Sequence, residues 1–566
     1  MFIKKILSAF TVLLLLSGML GACANKQQSE VSIPSPAGTS SEDTSVKTSV
    51  VNNESVIQED AVKFSPFGKY DPPIQLTTVR YAVEIDNAGQ NEADNNWYTE
   101  IEKTLGIKII NLWVTDSQQM ETKTNLMIAS GDMPDFVRVT KPQFLETLRA
   151  DLPADITDVF NSTASDDVKT QFLTIPAIMD MVTRDEKILA VPETNLYVLP
   201  MMWIRHDWME KLNLPEPKNF ADVINIARIF KDRDPGDAGG NIGFAGDDSL
   251  FSYQSFYMMF AANHAYPQIF IKKDEKVTYG SIQPEVKTAL QMLVDLYSEG
   301  LIDPEWNIKD GNARDQLVRN GKAGIFGQVH WGPADYAGAE QTTPGIRFQC
   351  YPLMSNDGQP VKSSGSTPVN GMYIVSKDCK TPEAVIKLFN LLFQKQYQAE
   401  SVEEWAYFNS DQSSGDYIYN LNGSPIRAND PLDHYNSAVK LGKYFEGTWQ
   451  PTEVDTFENL VIGLLDEFNG GDESMWFYED CWGPNSGVFN SVYLIDNGLY
   501  FDDEYMGVPT ATMVDKLSIL NDRELVLFTE IIIGQKSIDE FDNFVTEWLR
   551  DGGQQIIDEL NEQLGY

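Results

Sequence analysis

Between residues 78 and 114 the spacing of apolar positions changes period twice. TVRYAVEI at 78–85 and IKIINLWV at 107–114 are rich in β-branched and aromatic residues, and each predicts a strand. Between them NNWYTEIEKTLG places Trp97, Ile101 and Leu105 four residues apart and stops at Gly106, which predicts a helix closed by a glycine. Strand, helix and strand in that order predict a parallel pair with a right-handed crossover.

The helical period returns through the rest of the chain. NFADVINIARIF has Asn219 at the N-cap and Val223, Ile226, Ile229 and Phe230 on one face. QPEVKTALQMLVDLYSEG runs from Pro284 to Gly300, and TPEAVIKLFNLLF opens with Thr381 as cap and Pro382 in the first turn. SIDEFDNFVTEWLRDGG aligns Phe541, Phe544, Val545 and Trp548, ends on Gly552, and offers Ser537 with Glu540 as a capping box. Trp208 reads as the first core residue of a helix, and GKAGIFG at 321–327 as a short strand with Ile325 and Phe326 buried. The fold class is α/β, without an internal repeat.

The N-terminal segment follows a different pattern. Lys4 and Lys5 precede an apolar run, Ile6 to Met19, that is short for a bilayer span and has the layout of a secretory signal. Leu20, Gly21 and Ala22 before Cys23 match the bacterial lipobox, so residues 1–22 are expected to be removed and Cys23 to carry diacylglycerol. Two acyl chains would anchor the protein stably on the outer face of the cell membrane. Residues 24–63 are polar and contain no aromatic side chain, too little apolar surface to offset the entropy of ordering. They predict a tether, bounded at residues 23–72, whose ~40 flexible residues reach about 35 Å.

The body beyond residue 72 is large enough for two or three domains. Lys and Arg number 43 against 83 Asp and Glu, a net charge of −40, which argues against nucleic acid as a partner. Cys350, Cys379 and Cys481 form an odd set compatible with one disulfide and one free thiol, and no zinc spacing is present. No HExxH, GxSxG, Walker or GxGxxG pattern occurs, so no catalytic residue and no cofactor is assigned.

Several ordered segments carry a family resemblance. MMWIRHDWMEKLNLPEPKNFADV at 201–223 resembles the IRxDWLxKLGL-P-x-T segment of extracellular solute-binding proteins of ABC sugar importers, the lipoprotein group that includes oligosaccharide and alginate binders. SGDMPDF at 130–136, YSEGLIDPE at 297–305, NGKAGIFGQVHWG at 320–332, SKDCKTPEAVIKLFN at 376–390, YMGVPTATM at 505–513 and the C-terminal 531–553 agree with it in order. The resemblance implies a two-lobed, type II periplasmic-binding-protein-like fold, with a ligand cleft between discontinuous lobes and a hinge the chain crosses two or three times. One lobe would take 73–196 and 368–450, the other 197–367 and 451–566. The partners implied are a carbohydrate, membrane permease subunits and the lipid anchor, with the chain itself a monomer.

A sugar cleft needs aromatic faces for pyranose rings and planar polar groups for hydroxyls. Trp331, in a Gly-Pro loop after a strand, is a candidate, flanked by Gln328 and His330. Trp203 and Arg205 lie on the strand leading from the hinge; Arg205 suits a ligand clamp or an ion pair with Asp207. Trp449, Trp476 and Trp482 stand in loop-like sequence, and Asn96 with Trp97 opens a helix whose N-terminus suits hydrogen bonding to a ligand. Alginate-type relatives carry a calcium loop resembling DPDxNGxxDE. Here Asp232, Asp234, Asp237 and Asn241 supply oxygens, but Ile242 and Gly243 replace the closing acids, so no metal is assigned. The favoured function class is a non-catalytic receptor for an oligosaccharide. A tethered glycan hydrolase or lyase is the alternative, and a receptor for a peptide or lipid precursor a weaker one.

Overall fold

The computed structural model describes residues 63–566 apart from 84–89, 366–367, 410–419, 454, 502, 506 and 508. The expected signal peptide, Cys23 and residues 24–62 of the expected tether lie outside the described residues. Among the described residues no helix is long and apolar enough to cross a membrane.

The first predicted unit forms as strand, helix, strand. Ile74–Tyr81 pairs in parallel with Ile107–Thr115, from Ile74 opposite Ile107 to Tyr81 opposite Thr115, with a shift of register between Thr78 and Arg80. The first strand therefore lies several residues earlier than the expected 78–85. Between them runs the helix Asn96–Leu105, where Asn95 accepts from the backbone N–H of Trp97 and Tyr98. Gly106 closes it at φ 66°, and a Cβ there would lie 2.3 Å from the Tyr70 carbonyl oxygen, so only glycine fits. Asp135 accepts from the Thr77 N–H and hydroxyl, each at 2.7 Å, tying this pair to an antiparallel sheet of Phe136–Val139, Val369–Val375 and Val191–Thr194.

A second sheet is ordered Phe348–Tyr351, Met201–Arg205, Ala323–Gln328, Gly243–Phe244. All five residues of Met201–Arg205 are buried, because helices cover both sides of the sheet. Met202 and Ile204 pack with Trp208, Val223, Leu293, Phe528, Phe541 and Trp548, while Met201 and Trp203 join a core shared with the first sheet. The chain passes between the sheets at 195–200 and again at 352–368. Along the first passage the Asn195 N–H donates to the Pro368 carbonyl and the Tyr197 N–H to the Pro431 carbonyl.

Two expected caps are corrected. Thr381 precedes Pro382–Tyr397, but at φ −133° and ψ 62° its hydroxyl makes no cap bond. The C-terminal helix begins at Glu540 with Asp539 at the cap position, and the Ser537 hydroxyl turns to the Asp539 carboxylate, so the Ser537–Glu540 box does not form. The stripe it was to lead is buried as expected at Phe541, Phe544 and Trp548. Cys350, Cys379 and Cys481 are all free thiols, and no disulfide joins any two of them.

Candidate functional site

Where Ala323–Gln328 ends, the chain turns through Val329, His330 and Trp331 into the short helix Gly332–Tyr336. Trp203 sets that turn. Its indole N–H donates to the Val329 carbonyl at 3.0 Å. A Cβ at Gly332 would lie 2.6 Å from Trp203 Nε1, and one at Gly487 would lie 2.6 Å from its ring. Two glycines thus let the loop and the helix Gly487–Asp496 close over the same indole. Gln328 donates its amide to Asp335 Oδ2 at 2.6 Å, and burial pushes that carboxyl up to about 6.

Trp331 then meets residues from distant segments. The helix Asp433–Phe445 brings His434, Thr456–Asn469 brings Phe457, and Trp476–Trp482 ends on Trp482. Ring centroids lie 4.7 Å apart for His330 and Trp331, 5.1 Å for His434 and Trp482, and 4.9 Å for Phe457 and Trp482. His330 Nε2 and His434 Nδ1 are 2.8 Å apart, so one ring donates and the other accepts. Burial, and then the facing His434, hold His330 well below the usual imidazole range and keep it neutral.

Around this cage His330 Nδ1, Trp331 Nε1, Trp482 Nε1, Thr456 Oγ1 and Ser486 Oγ are buried without a hydrogen-bond partner among the described residues. A buried polar atom left unpaired costs about 1–3 kcal/mol. These rings are themselves buried, Trp482 at 0% and Trp331 at 5% exposed, so a ligand reaches them only when the packing around them opens; aromatic faces beside unpaired donors and hydroxyls are the chemistry that suits a polyhydroxylated ring.

The cage therefore unites Trp331, Trp482 and their neighbours Gln328 and Trp203, and leaves the remaining candidates elsewhere. Trp203 is fully buried and serves as the floor of the loop rather than as a stacking face. Arg205 holds Asp207 through two bonds of 2.7 and 2.6 Å and lies over Trp208 at 4.3 Å, so the ion pair, not a ligand clamp, uses its guanidinium. Trp97 is 1% exposed and donates to the Phe408 carbonyl at 3.0 Å. Asn96 donates to the Tyr407 carbonyl, and its helix end is capped by Asn95. Both are therefore packing residues in this conformation. Trp476 packs on Phe348 and donates to Glu340 at 3.1 Å. Trp449 is half-buried, with the Lys440 ammonium 5.9 Å from its ring centre. His434 and Phe457 were not candidates from sequence; both sit on helices with ordinary apolar stripes, and only the fold sets them against Trp331.

In the degraded calcium loop Asp234 turns its carboxylate to the backbone N–H groups of Ala238, Gly239 and Gly240. Asn241 is taken up by Gly243 and Gly321. The backbone thus occupies oxygens that a cation would need. Asp237 faces solvent near Lys211, and among the described residues no group of three His, Cys, Asp or Glu is placed to hold a metal.

A separate groove, about 610 Å³, lies between the helices Ser518–Ile532 and Glu540–Trp548. Arg523–Asp551 and Lys536–Glu530 pairs line it, with Val526 exposed. Two aromatics line it, Phe544 and Trp548, both buried, and Trp548 is stacked on Tyr279 at 4.5 Å. The cage carries the more specific chemistry.

A model of the family described as bacterial extracellular solute-binding protein matches residues 88–399. The fructooligosaccharide ABC transporter substrate-binding protein FusA of Streptococcus pneumoniae serotype 4 is 24% identical over 252 residues, covering 40% of this chain and 45% of FusA. The chain thus spans about half the length of that relative. The polygalacturonan/rhamnogalacturonan-binding protein YtcQ of Bacillus subtilis is 22% identical over 471 residues, 82% of this chain and 86% of YtcQ. Among solved structures, an ABC-transporter-associated HMO-binding protein from Bifidobacterium longum infantis superposes with a TM-score of 0.59 at 16% identity, over 86% of this chain and 97% of that one. The fold is the two-lobed type II binding-protein fold. With more than half of its length matched by the family model, the chain belongs to the bacterial extracellular solute-binding protein family.

Proposed function

We propose that this protein is a cell-surface lipoprotein that captures an oligosaccharide and delivers it to the permease of an ABC transporter. The single observation that carries this reading is the cage of Trp331, Trp482, His330, His434 and Phe457, with its unpaired ring nitrogens and hydroxyls, set between two sheets. The names of FusA and YtcQ, both binders of carbohydrate polymers or oligomers, support the ligand class. The lipobox at Cys23 supports the anchor and the extracellular location.

The lobes in this reading are 73–196 with 368–450, and 197–367 with 451–566. In support, the strands of the first sheet fall in the first set and those of the second sheet in the second. Ligand draws the lobes together, and the closed form docks on the permease as a monomer. Catalysis has no part in it; the site binds and releases.

A thermal-shift screen of the mature body against a panel of oligosaccharides tests the reading. A ligand at 100 times its dissociation constant adds about 2.7 kcal/mol to folding. Unchanged melting across every glycan contradicts the proposal, and so does measurable turnover of any of them.

A further inference from the structure

Residues of four strands, Ile74–Tyr81, Phe136–Val139, Val191–Thr194 and Val369–Val375, meet the segment 424–427 around a narrow recess. Arg80, Tyr81, Arg138, Glu193, Tyr373 and Arg427 line it. Arg138 pairs with Glu193 at 2.5 Å. Arg80, only 8% exposed, spends its guanidinium on neutral acceptors, the Gly423 carbonyl at 3.2 Å and the Asn422 carbonyl at 2.8 Å. Arg427 donates to the Asn422 side-chain oxygen, and its backbone N–H to the Tyr373 hydroxyl at 2.9 Å. Among the described residues lining the recess, three guanidiniums thus face a single carboxylate. That is a local positive excess in a chain whose net charge is −40.

Composition alone would not place cations together here, and burying guanidinium charge without a full set of counter-charges is unfavourable. Planar guanidinium forks match carboxylates in two-bond geometry. The interior volume is about 30 Å³. At roughly 10–15 Å³ for each water it holds about two, the room of a carboxylate head and too little for a sugar ring. Arg427 and His434 belong to one continuous segment, so the recess and the aromatic cage lie at most ~25 Å apart, within reach of an oligosaccharide.

We infer that the ligand is an acidic oligosaccharide, one of whose carboxylates enters the recess between Arg427, Arg138 and Arg80 while its rings reach the Trp331 cage. The inference rests on the carbohydrate reading above.

Calorimetric titration of the mature protein with trigalacturonate and trimannuronate, each compared with its methyl ester and with a neutral trisaccharide, tests it. At least one acid binds about 10-fold or more tightly than its ester, and its affinity falls as salt rises from about 0.05 to 0.5 M. Arg427→Gln weakens the acid by about 10-fold and leaves the ester unchanged, while Arg427→Lys, which keeps the charge, stays within about 3-fold of the parent. The comparison of acid with ester on the unaltered protein needs no variant to fold. Equal affinity for acid, ester and neutral sugar, or an Arg427→Gln variant that binds the acid as well as the parent, overturns the inference and leaves the carbohydrate reading standing. Absence of binding to every sugar, neutral ones included, overturns both.

Discussion

The two faces of the strand Met201–Arg205 are equally buried and differently used. On one, Met202 and Ile204 pack into a core where Trp208 meets Phe230 edge-on at 5.1 Å and Trp548 stacks on Tyr279. On the other, Trp203 supports a loop whose Trp331 meets His434 and whose His330 meets His434 and Trp482, the last two brought by separate helices. Unpaired ring nitrogens occur in both, but on the first face they are isolated, at Trp306 and Trp548. On the second they fall on His330, Trp331 and Trp482, whose rings form one contact cluster. Aromatic content does not separate a core from a binding site; the convergence of unpaired polar atoms from independent segments does.

The largest effect that should separate the faces is on stability. Trp548→Ala removes a ring that is 1% exposed and is expected to cost about 3–5 kcal/mol in denaturant melts, without changing ligand affinity in the folded fraction. A fall in affinity alongside it would merge the two faces into one functional unit.

The pH dependence comes next. On the first face Ser281 and Tyr279 donate to Glu524 at 2.7 and 3.1 Å, and burial pushes its carboxyl up to about 8. On the second, burial pushes Asp480 up to about 7 and Asp335 to about 6. As pH rises above the ordinary carboxyl range the unfolded chain releases these protons and the folded chain keeps them. Stability is therefore full at acid pH and falls until each folded value is passed. The slope from Asp335 and Asp480 ends by about pH 7, and that from Glu524 continues to about pH 8. Glu524→Gln should remove the remaining loss between pH 7 and 8, about 1 kcal/mol, in melts at half-unit steps. A variant that keeps the parent slope there would contradict the assignment.

Trp331→Ala is expected to weaken ligand binding by at least about 10-fold, near 1.4 kcal/mol, read by titration calorimetry. The smallest change in stability belongs to Thr456→Val. Its hydroxyl already has no partner, so the near-isosteric swap should leave stability within about 1 kcal/mol of the parent while weakening the ligand several-fold. A large loss of stability would mean that the hydroxyl is paired after all.

How far the sequence carries depends on the range of the interaction. The unit of Ile74–Tyr81, Asn96–Leu105 and Ile107–Thr115 was legible because Asn95 and Gly106 mark the helix ends locally. The same holds for Ala323–Gln328, and Trp331 was placed after it. His434 was not legible, because its partner His330 is 104 residues away. Arg80, Arg138 and Arg427 carry no motif either, and only the tertiary fold gathers them. At Asn96 and Trp97 long-range partners again lie beyond local reading: their side chains donate to the carbonyls of Tyr407 and Phe408, distant in sequence. Ser537 fits the capping pattern in letters, but the helix starts at Glu540 and the hydroxyl finds Asp539 first.

The central claim, that ligand is held between the sheets at the Trp331 cage, is tested most directly by hydrogen exchange with and without a saturating oligosaccharide. Protection is expected together in residues 328–336, 427–437 and 480–488, the three segments that meet there. Protection confined to the groove between Ser518–Ile532 and Glu540–Trp548, with no change around Trp331, would contradict it.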